Sequence, residues 1–586
     1  MGAGLTGAGN PGAATQRCVA VFSCGKVNLE PRGEQPILRD CCISDAATRR
    51  SRPPTLALLG CAALLIASSP VRAADDLRAD PASGATPPAA ETFEISEFRV
   101  LGNTKLDARA IETAVYPLLG PGRTLATVEQ ARDALVAAYR AEGLGTVLVD
   151  IPEQSVDDGI VRLQVTEGRI EKVRISGARY YSERQILARL PSVQTGGVPR
   201  LPQLQTELTA LAGEARDREI TPTLKPGSSP GTLAVDLAVK DHLPLHAGIE
   251  VNNRYTADTT HTRLVGTLSY ANMFQRNDTL GLQYQTAPAK PSEVEVAAAT
   301  YLGRIGYEGL TWSGYAIRSK SDVAAIGTLS VIGNGTILGA RLNIPLGSTA
   351  QSVQTLSAGG DWKDFGEDIR LPADVSARTP IHYASWAMQY SYARQGEHLE
   401  LQQQLGVNFG VRGLGANDRQ FEYKRAGAHA GFAYLRGATG AVWHAAHGWS
   451  AVARLGYQYS EQPLISNEQF ALGGVDTVRG YLDAEALVDS GVAAGLEIRA
   501  PSLAWRSAIA TASVFYDRGV GMMQQPLSSE IAARSVRTDL EGWGAGLHVT
   551  IGQSLEAMVD WASPRRKGGR TRGGENRVDF SVKLSF

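Results

Sequence analysis

Cysteine is confined to one end of this 586-residue chain: Cys18, Cys24, Cys41, Cys42 and Cys61 are followed by 525 residues with none. A disulfide framework and a cysteine-ligated metal site are thereby excluded from the body of the protein. A charge of one sign is lacking as well. Lys and Arg number 58 against 59 Asp and Glu, a net −1, so no bulk basicity points to nucleic acid. No apolar run reaches the ~18 residues that a membrane-spanning helix needs. No H-E-x-x-H stands anywhere, and the G-x-G-x-x-G match at Gly2–Gly7 follows no strand. His444 and His447 are the most closely spaced histidines, but residues three apart on a strand point to opposite faces. No metal, cofactor or catalytic residue is expected, and the chain does not read as an enzyme.

What is present begins with an export signal. Arg49, Arg50 and Arg52 precede an apolar run from Thr55 to Ala67, followed by the small-x-small site Val71-Arg72-Ala73. That order of basic, apolar and small residues is a secretory signal peptide, with cleavage expected after Ala73 or Ala74. Residues 1–73 are an N-terminal extension plus signal, and 74–92, rich in Ala, Pro and Asp, are a linker. The first 73 residues carry eight basic and four acidic side chains, which leaves 50 basic and 55 acidic, or −5, in the mature chain.

Two units with one order of elements follow. In residues 93–168 a strand ends at Gly102, helical patterns run over Leu106–Leu118 and through Val128, Ala131, Leu135, Ala138 and Tyr139, and two strands close the unit. Residues 169–242 repeat the order: a strand to Gly177, a short helix, a helical face of Leu201, Leu204, Leu208 and Leu211, then two strands. Two βααββ units are an internal duplication.

From Leu245 to Phe586 the dominant period is two. Ala494, Leu496 and Ile498 alternate with Gly495, Glu497 and Arg499; Trp543, Ala545, Leu547, Val549 and Ile551 with Gly544, Gly546, His548 and Thr550. Segments of ~10 residues that put apolar groups on one face and polar ones on the other, separated by turns, mark an outer-membrane barrel, the all-β form whose backbone is fully paired in lipid. The last strand alternates Val578, Phe580, Val582, Leu584 and Phe586.

Several motifs carry a resemblance. FRVLGN, YRAEGLGTVLVDIPEQSVDDGIVRLQVTEGRI and VRISGARYYS resemble the paired POTRA domains of two-partner secretion transporters, the ShlB/FhaC/HecB (TpsB) family. Phe470-Ala-Leu-Gly473-Gly474-Val-Asp-Thr-Val478-Arg479-Gly480-Tyr481 resembles the loop-six motif of the BamA/TpsB superfamily, and Phe515-Tyr516-Asp517-Arg518-Gly519 its barrel-wall motif. Asp241-His-Leu-Pro244, Glu250-Val-Asn252-Asn253 and Tyr270-Ala-Asn272 resemble the start of the same family's barrel.

The resemblance implies an all-β transmembrane barrel of about 16 antiparallel strands, residues 245–586, preceded by two periplasmic α/β POTRA domains in a Gram-negative outer membrane. It implies a loop folded back into the lumen, with Arg479 paired to Asp517 and Phe515 and Gly519 beside it. The alternating set Phe580, Val582, Leu584 and Phe586 resembles the signal read by the barrel-assembly machinery. The implied partners are a secreted, TpsA-like adhesin or haemolysin, that machinery, and outer-membrane lipid. The competing readings are an assembly factor of the BamA/TamA type and a non-translocating porin or adhesin. Family members often carry an N-terminal helix that plugs the pore; the residues between the cleavage site and Phe93 show no helical face.

Overall fold

The computed structural model describes residues 92–586 apart from 258, 307–308, 322, 327–328, 367, 372–374, 379 and 526–535. The cleavage site at Ala73 and Ala74 and the segment where a plug helix would lie are outside the described residues.

The first unit comprises β1 (Phe93–Ile95), β2 (Glu97–Leu101), α1 (Ala108–Val115), β3 (Gly120–Arg123), α2 (Leu125–Ala141), β4 (Val147–Asp150) and β5 (Ile160–Glu167). The expected first strand is broken at Ser96, whose N–H donates to Gly159 O (2.8 Å), so β1 leaves the sheet and pairs with β3 instead. The main sheet has the order β2-β5-β4, with β2 parallel and β4 antiparallel to β5. α2 buries Val128, Ala131, Leu135 and Tyr139 at helical spacing against it. The Tyr139 hydroxyl donates to Asn103 Oδ1 (2.6 Å). Burial, with the charge of Glu167 behind it, pushes that phenol up to about 12, so it stays a donor at neutral pH.

The second unit comprises β6 (Arg169–Ser176), α3 (Glu183–Leu187), α4 (Leu201–Glu214), β7 (Arg218–Pro226) and β8 (Thr232–Asp241). Its sheet order, β6-β8-β7, has the same parallel and antiparallel pairings. The duplication reaches single residues. Gly102 and Gly177 both take positive φ, +82° and +86°, and a Cβ on either would strike a carbonyl, of Val165 or Val239 respectively. A carboxylate at the end of each unit then ties that turn down. Glu167 accepts from Thr104 N (2.6 Å); Asp241 accepts from Arg179 N (2.9 Å), Tyr180 N (2.7 Å) and Tyr181 N (3.1 Å). Gly227-Ser-Ser-Pro-Gly231 spells G-x-S-x-G, but it is the turn between β7 and β8 and not the strand-to-helix elbow of a hydrolase.

The two units have separate cores, yet Val198 of the second packs against the core of the first, and Leu201 N donates to Gly143 O (3.0 Å). The second unit docks on the barrel through a set of polar contacts. Ser182 N donates to Gln275 Oε1 (2.8 Å), Asn272 Nδ2 to Tyr180 O (3.0 Å) and Gln185 Nε2 to Asn277 Oδ1 (2.6 Å).

The barrel is closed and has sixteen principal antiparallel strands. They are β9 (Leu245–Asn252), β10 (Arg263–Met273), β11 (Asp278–Thr286), β12 (Glu295–Ile305), β13 (Leu310–Lys320), β14 (Gly335–Ser348), β15 (Ser352–Phe365), β16 (Ile381–Gln395), β17 (Leu399–Gly415), β18 (Ala433–His444), β19 (Ser450–Tyr459), β20 (Ser490–Arg499), β21 (Ala508–Met522), β22 (Arg537–Ile551), β23 (Leu555–Pro564) and β24 (Arg577–Ser585). After Arg499 the chain kinks at Pro501 and Leu503–Trp505 resumes pairing with β21. The predicted alternation sets the two faces: along β20, Leu496 and Ile498 point out while Glu497 and Arg499 are buried inward. The seam joins β24 to β9, from Ser581↔Asn252 to Ser585↔Gly248, and Phe586 N donates to Ala247 O (2.9 Å). Val582 and Phe586 face outward, as does Val578. Because the strand number is even, both ends of the barrel chain lie at the rim that holds the two α/β units.

Candidate functional site

Between β19 and β20, residues 460–489 leave the far rim and descend into the lumen. The descent is a hairpin: Phe470–Leu472 pairs with Ala486–Val488, from Phe470↔Val488 to Leu472↔Ala486. Its tip is a tight turn that needs backbone freedom. Gly473, Gly474 and Gly480 have φ of +106°, +93° and +92°, where a Cβ is unfavourable. The Thr477 hydroxyl ties the turn by accepting from Gly473 N (2.8 Å). Phe470, Leu472, Val478, Tyr481 and Val488 form an apolar cluster with Ala493 and Leu540 of the wall.

This places Arg479 among the side chains of the inner wall. Its Nε donates to Asp517 Oδ2 (2.7 Å) and its Nη2 to Asp517 Oδ1 (3.1 Å), a two-pronged contact, while its backbone N–H also reaches Asp517 Oδ2 (3.2 Å). Nη1 donates to Glu497 Oε2 (2.7 Å) and lies 3.5 Å from Asp560 Oδ2. The guanidinium carbon sits 3.3 Å from the centroid of the Phe515 ring, a cation–π contact that fills the remaining face. Arg454 Nη2 bonds Asp517 Oδ1 (3.3 Å), and Arg499 Nε bonds Glu497 Oε1 (2.7 Å). Three guanidinium groups therefore balance three carboxylates.

The wall is shaped for this loop. A Cβ on Gly519 would lie 2.7 Å from Val478 Cγ2, and one on Gly542 would strike Arg479 O. Tyr481 ends the turn by accepting from Glu541 N (3.1 Å) and donating to Arg566 O (2.8 Å). All the motif residues singled out in the sequence, Gly473, Gly474, Val478, Arg479, Gly480 and Tyr481 with Phe515, Asp517 and Gly519, meet at this one place. Phe580, Val582, Leu584 and Phe586 do not; they belong to the seam strand.

Several participants carried no signal in their local sequence. Glu497, Asp560, Arg454 and Arg499 lie on three other strands and read only as inward-facing polar positions. Gly542 was legible in principle, since Gly542, Gly544 and Gly546 alternate on one face of β22. A second anchor at the root of the loop was missed altogether. Glu468, buried to 1% exposure, accepts from Lys363 Nζ (2.6 Å), Tyr383 OH (2.5 Å) and Tyr434 OH (2.7 Å), donors from β15, β16 and β18.

Comparison with known proteins fits this geometry. The family model described as "Haemolysin secretion/activation protein ShlB/FhaC/HecB" matches residues 231–549, and that of the "POTRA domain, ShlB-type" matches residues 93–168. The outer membrane transporter CdiB of Dickeya dadantii is 23% identical over 416 residues, which is 66% of this chain and 69% of that protein. A solved structure of CdiB from Escherichia coli superposes with a TM-score of 0.55 at 17% identity, covering 86% of this chain and 92% of that one. BamA from Haemophilus ducreyi lacking POTRA domains 1–3 superposes with a TM-score of 0.53 at 13% identity, covering 84% of this chain and 100% of that one. The last two likenesses concern the fold.

Proposed function

The chain belongs to the haemolysin secretion/activation protein family ShlB/FhaC/HecB, and from that premise we propose how its geometry moves a protein across the outer membrane. Members of this family are outer-membrane pores of two-partner secretion: POTRA domains face the periplasm, and a secreted exoprotein crosses through the barrel. The observation that carries the mechanism is the in-folded loop with Arg479 held by carboxylates of the wall. A lumen occupied by its own loop is a closed conduit. A polar wall of matched charges gives that loop a defined seat, and a passing unfolded chain would compete for the same groups.

Capture begins at a sheet edge. β4 is one of the two edges of the first POTRA sheet, and its Leu148 is 64% exposed. The corresponding edge of the second sheet, β7, carries Pro222 and Pro226, which cannot donate to an added strand. An extended segment of the exoprotein adds to β4, where main-chain bonds supply affinity and alternate side chains specificity. Folding of the exoprotein outside then biases its movement. The chain acts as a conduit and performs no catalysis. The BamA likeness extends to the fold, and the family match favours secretion over barrel assembly.

The remaining readings concern biogenesis. The export signal is removed after Ala73 or Ala74, which N-terminal sequencing of membrane-extracted protein will check; retention of Cys18 would overturn it. The outward set Phe580, Val582, Leu584 and Phe586 is read by the barrel-assembly machinery, and the apolar outer wall then meets lipid. Deleting Phe586 removes both its bond to Ala247 and the terminal aromatic ring. The expected result is less assembled barrel, seen as heat-dependent gel mobility, at unchanged activity per inserted molecule; unaffected insertion would refute this reading. The function itself is tested by co-expressing the large β-helical exoprotein expected from a neighbouring gene. Its appearance at the cell surface should depend on this chain, and export that is equal without it would reject the pore reading.

A further inference from the structure

Between β17 and β18, residues 416–432 fold inward across the far mouth of the barrel. They contain a one-turn-and-more helix, α5 (Asp418–Lys424), capped reciprocally: Gln420 N donates to Asn417 Oδ1 (3.1 Å) and Asn417 N to Gln420 Oε1 (3.0 Å). From this helix Phe421 inserts between wall and loop. Its ring meets Tyr383 edge-on at 5.2 Å and lies 5.9 Å from Phe432. Phe365, Ile381, Ile337 and Ile317 of the wall and Leu464 and Ile465 at the root of the in-folded loop share that apolar cluster. A polar fastening closes the other side. Arg425 makes a two-pronged pair with Asp489, Nη1 to Oδ1 at 3.0 Å and Nη2 to Oδ2 at 2.8 Å, and Asp489 is fully buried. Asp489 also accepts from Leu464 N (3.0 Å), Gln469 Nε2 (3.0 Å) and Gln524 N (2.7 Å).

We infer that residues 416–432 are the extracellular gate of the pore, shut in this conformation, and that Arg425–Asp489 is the latch holding it to the in-folded loop. The inference rests on the pore reading, because an exoprotein leaving the lumen must pass this mouth. Two observations make the segment a gate and not merely a folded loop. Its fastening is shared with the moving part: Arg425 bonds the Asp489 carboxylate, at the junction of loop and wall, that also accepts from Leu464 N and Gln469 Nε2 of the in-folded loop, and Tyr383 couples both, its ring packing Phe421 while its hydroxyl donates to Glu468 (2.5 Å). It also has a hinge, since Gly413 and Gly415 at the end of β17 take φ of +87° and +100°, backbone conformations that a glycine changes readily. Release of the in-folded loop would withdraw Glu468 and strip Leu464 N and Gln469 Nε2 from Asp489, whose own N–H is held by Met522 O of the wall, opening the buried seat of the Arg425 pair and leaving the gate with one side of its apolar seat missing.

The test uses the full-length protein. All five natural cysteines precede residue 62, so thiols placed in the body are unique there. Lys424 Nζ lies 3.5 Å from Asn467 Oδ1, which makes Lys424→Cys with Asn467→Cys a bridgeable pair across gate and loop. Joining the two with a bis-methanethiosulfonate reagent should cut secretion of the co-expressed exoprotein at least tenfold, and a reductant should restore it, with each single-cysteine protein as control. Secretion by the bridged protein at the unbridged level overturns the gate. In planar bilayers Arg425→Gln should raise the fraction of time spent open several-fold. An unchanged open fraction in a folded Arg425→Gln protein, checked by heat-dependent mobility, overturns the latch; if that variant does not fold, the bridged pair decides alone. Should even the wild type export nothing while Arg425→Gln opens the channel, the gate stands and the secretion reading falls.

Discussion

Arg479→Ala is expected to reduce secretion more than tenfold while leaving a barrel that inserts. The side chain is the sole cation donated by the loop to a wall patch holding Asp517, Glu497 and Asp560. With it the patch has three guanidinium groups for three carboxylates; without it Arg454 and Arg499 face three carboxylates, a net −1. Breaking a buried pair on one side costs ~3–5 kcal/mol, less where water enters a lumen. The loop loses that sum, whereas the barrel keeps its strand ladder, so the change falls on loop position and not on insertion. Arg479→Lys should recover little, because an ammonium cannot reach Asp517 with two prongs and Glu497 at the same time. An exchange of charge with Asp517 should also fail: an arginine at 517 would stand beside Arg454, and an aspartate at 479 beside Glu497 and Asp560. Secretion and surface level measured together decide the matter, and equal secretion by wild type and Arg479→Ala at equal surface level would reduce the in-folded loop to an ornament.

Deleting residues 93–168 is expected to abolish secretion and to leave the barrel folded. The first POTRA unit has its own core around Val128, Leu135, Tyr139 and Leu163, and the barrel shares none of it. What the deletion removes is the edge strand β4; what it uncovers is Val198 and the amide of Leu201, both on the second unit. Leu201 opens α4, whose other end, Glu214, accepts from Asn277 Nδ2 of the barrel (2.9 Å), and the bonds of Ser182 and Gln185 to the barrel do not involve the first unit, so docking of the second unit persists. Heat-dependent gel mobility reports the barrel and the culture medium reports the exoprotein. Secretion that survives would move the receptor to the second unit or to the lumen.

Much of this was legible from residue order because the rules involved are local. A run of alternating side chains such as Trp543 to Ile551 determines which face meets lipid, since the period of a strand is two whatever its neighbours are. The repeated helix faces and the paired glycines Gly102 and Gly177 identify a duplicated α/β unit for the same reason: each turn needs φ above zero at one place. Arg479 and Asp517 were visible together only through their motifs.

The tertiary structure alone decided who else joins them. Alternation says that Glu497 and Asp560 face inward, but not that they face Arg479. That depends on strand register and on how far the loop descends, quantities that no local pattern encodes. Glu468 meets Lys363, Tyr383 and Tyr434 across 105, 85 and 34 residues of chain. Arg425 meets Asp489 across 64. Contacts of that span form when a sheet closes on itself and a loop folds into it, because only then do side chains from separate strands share one small polar space.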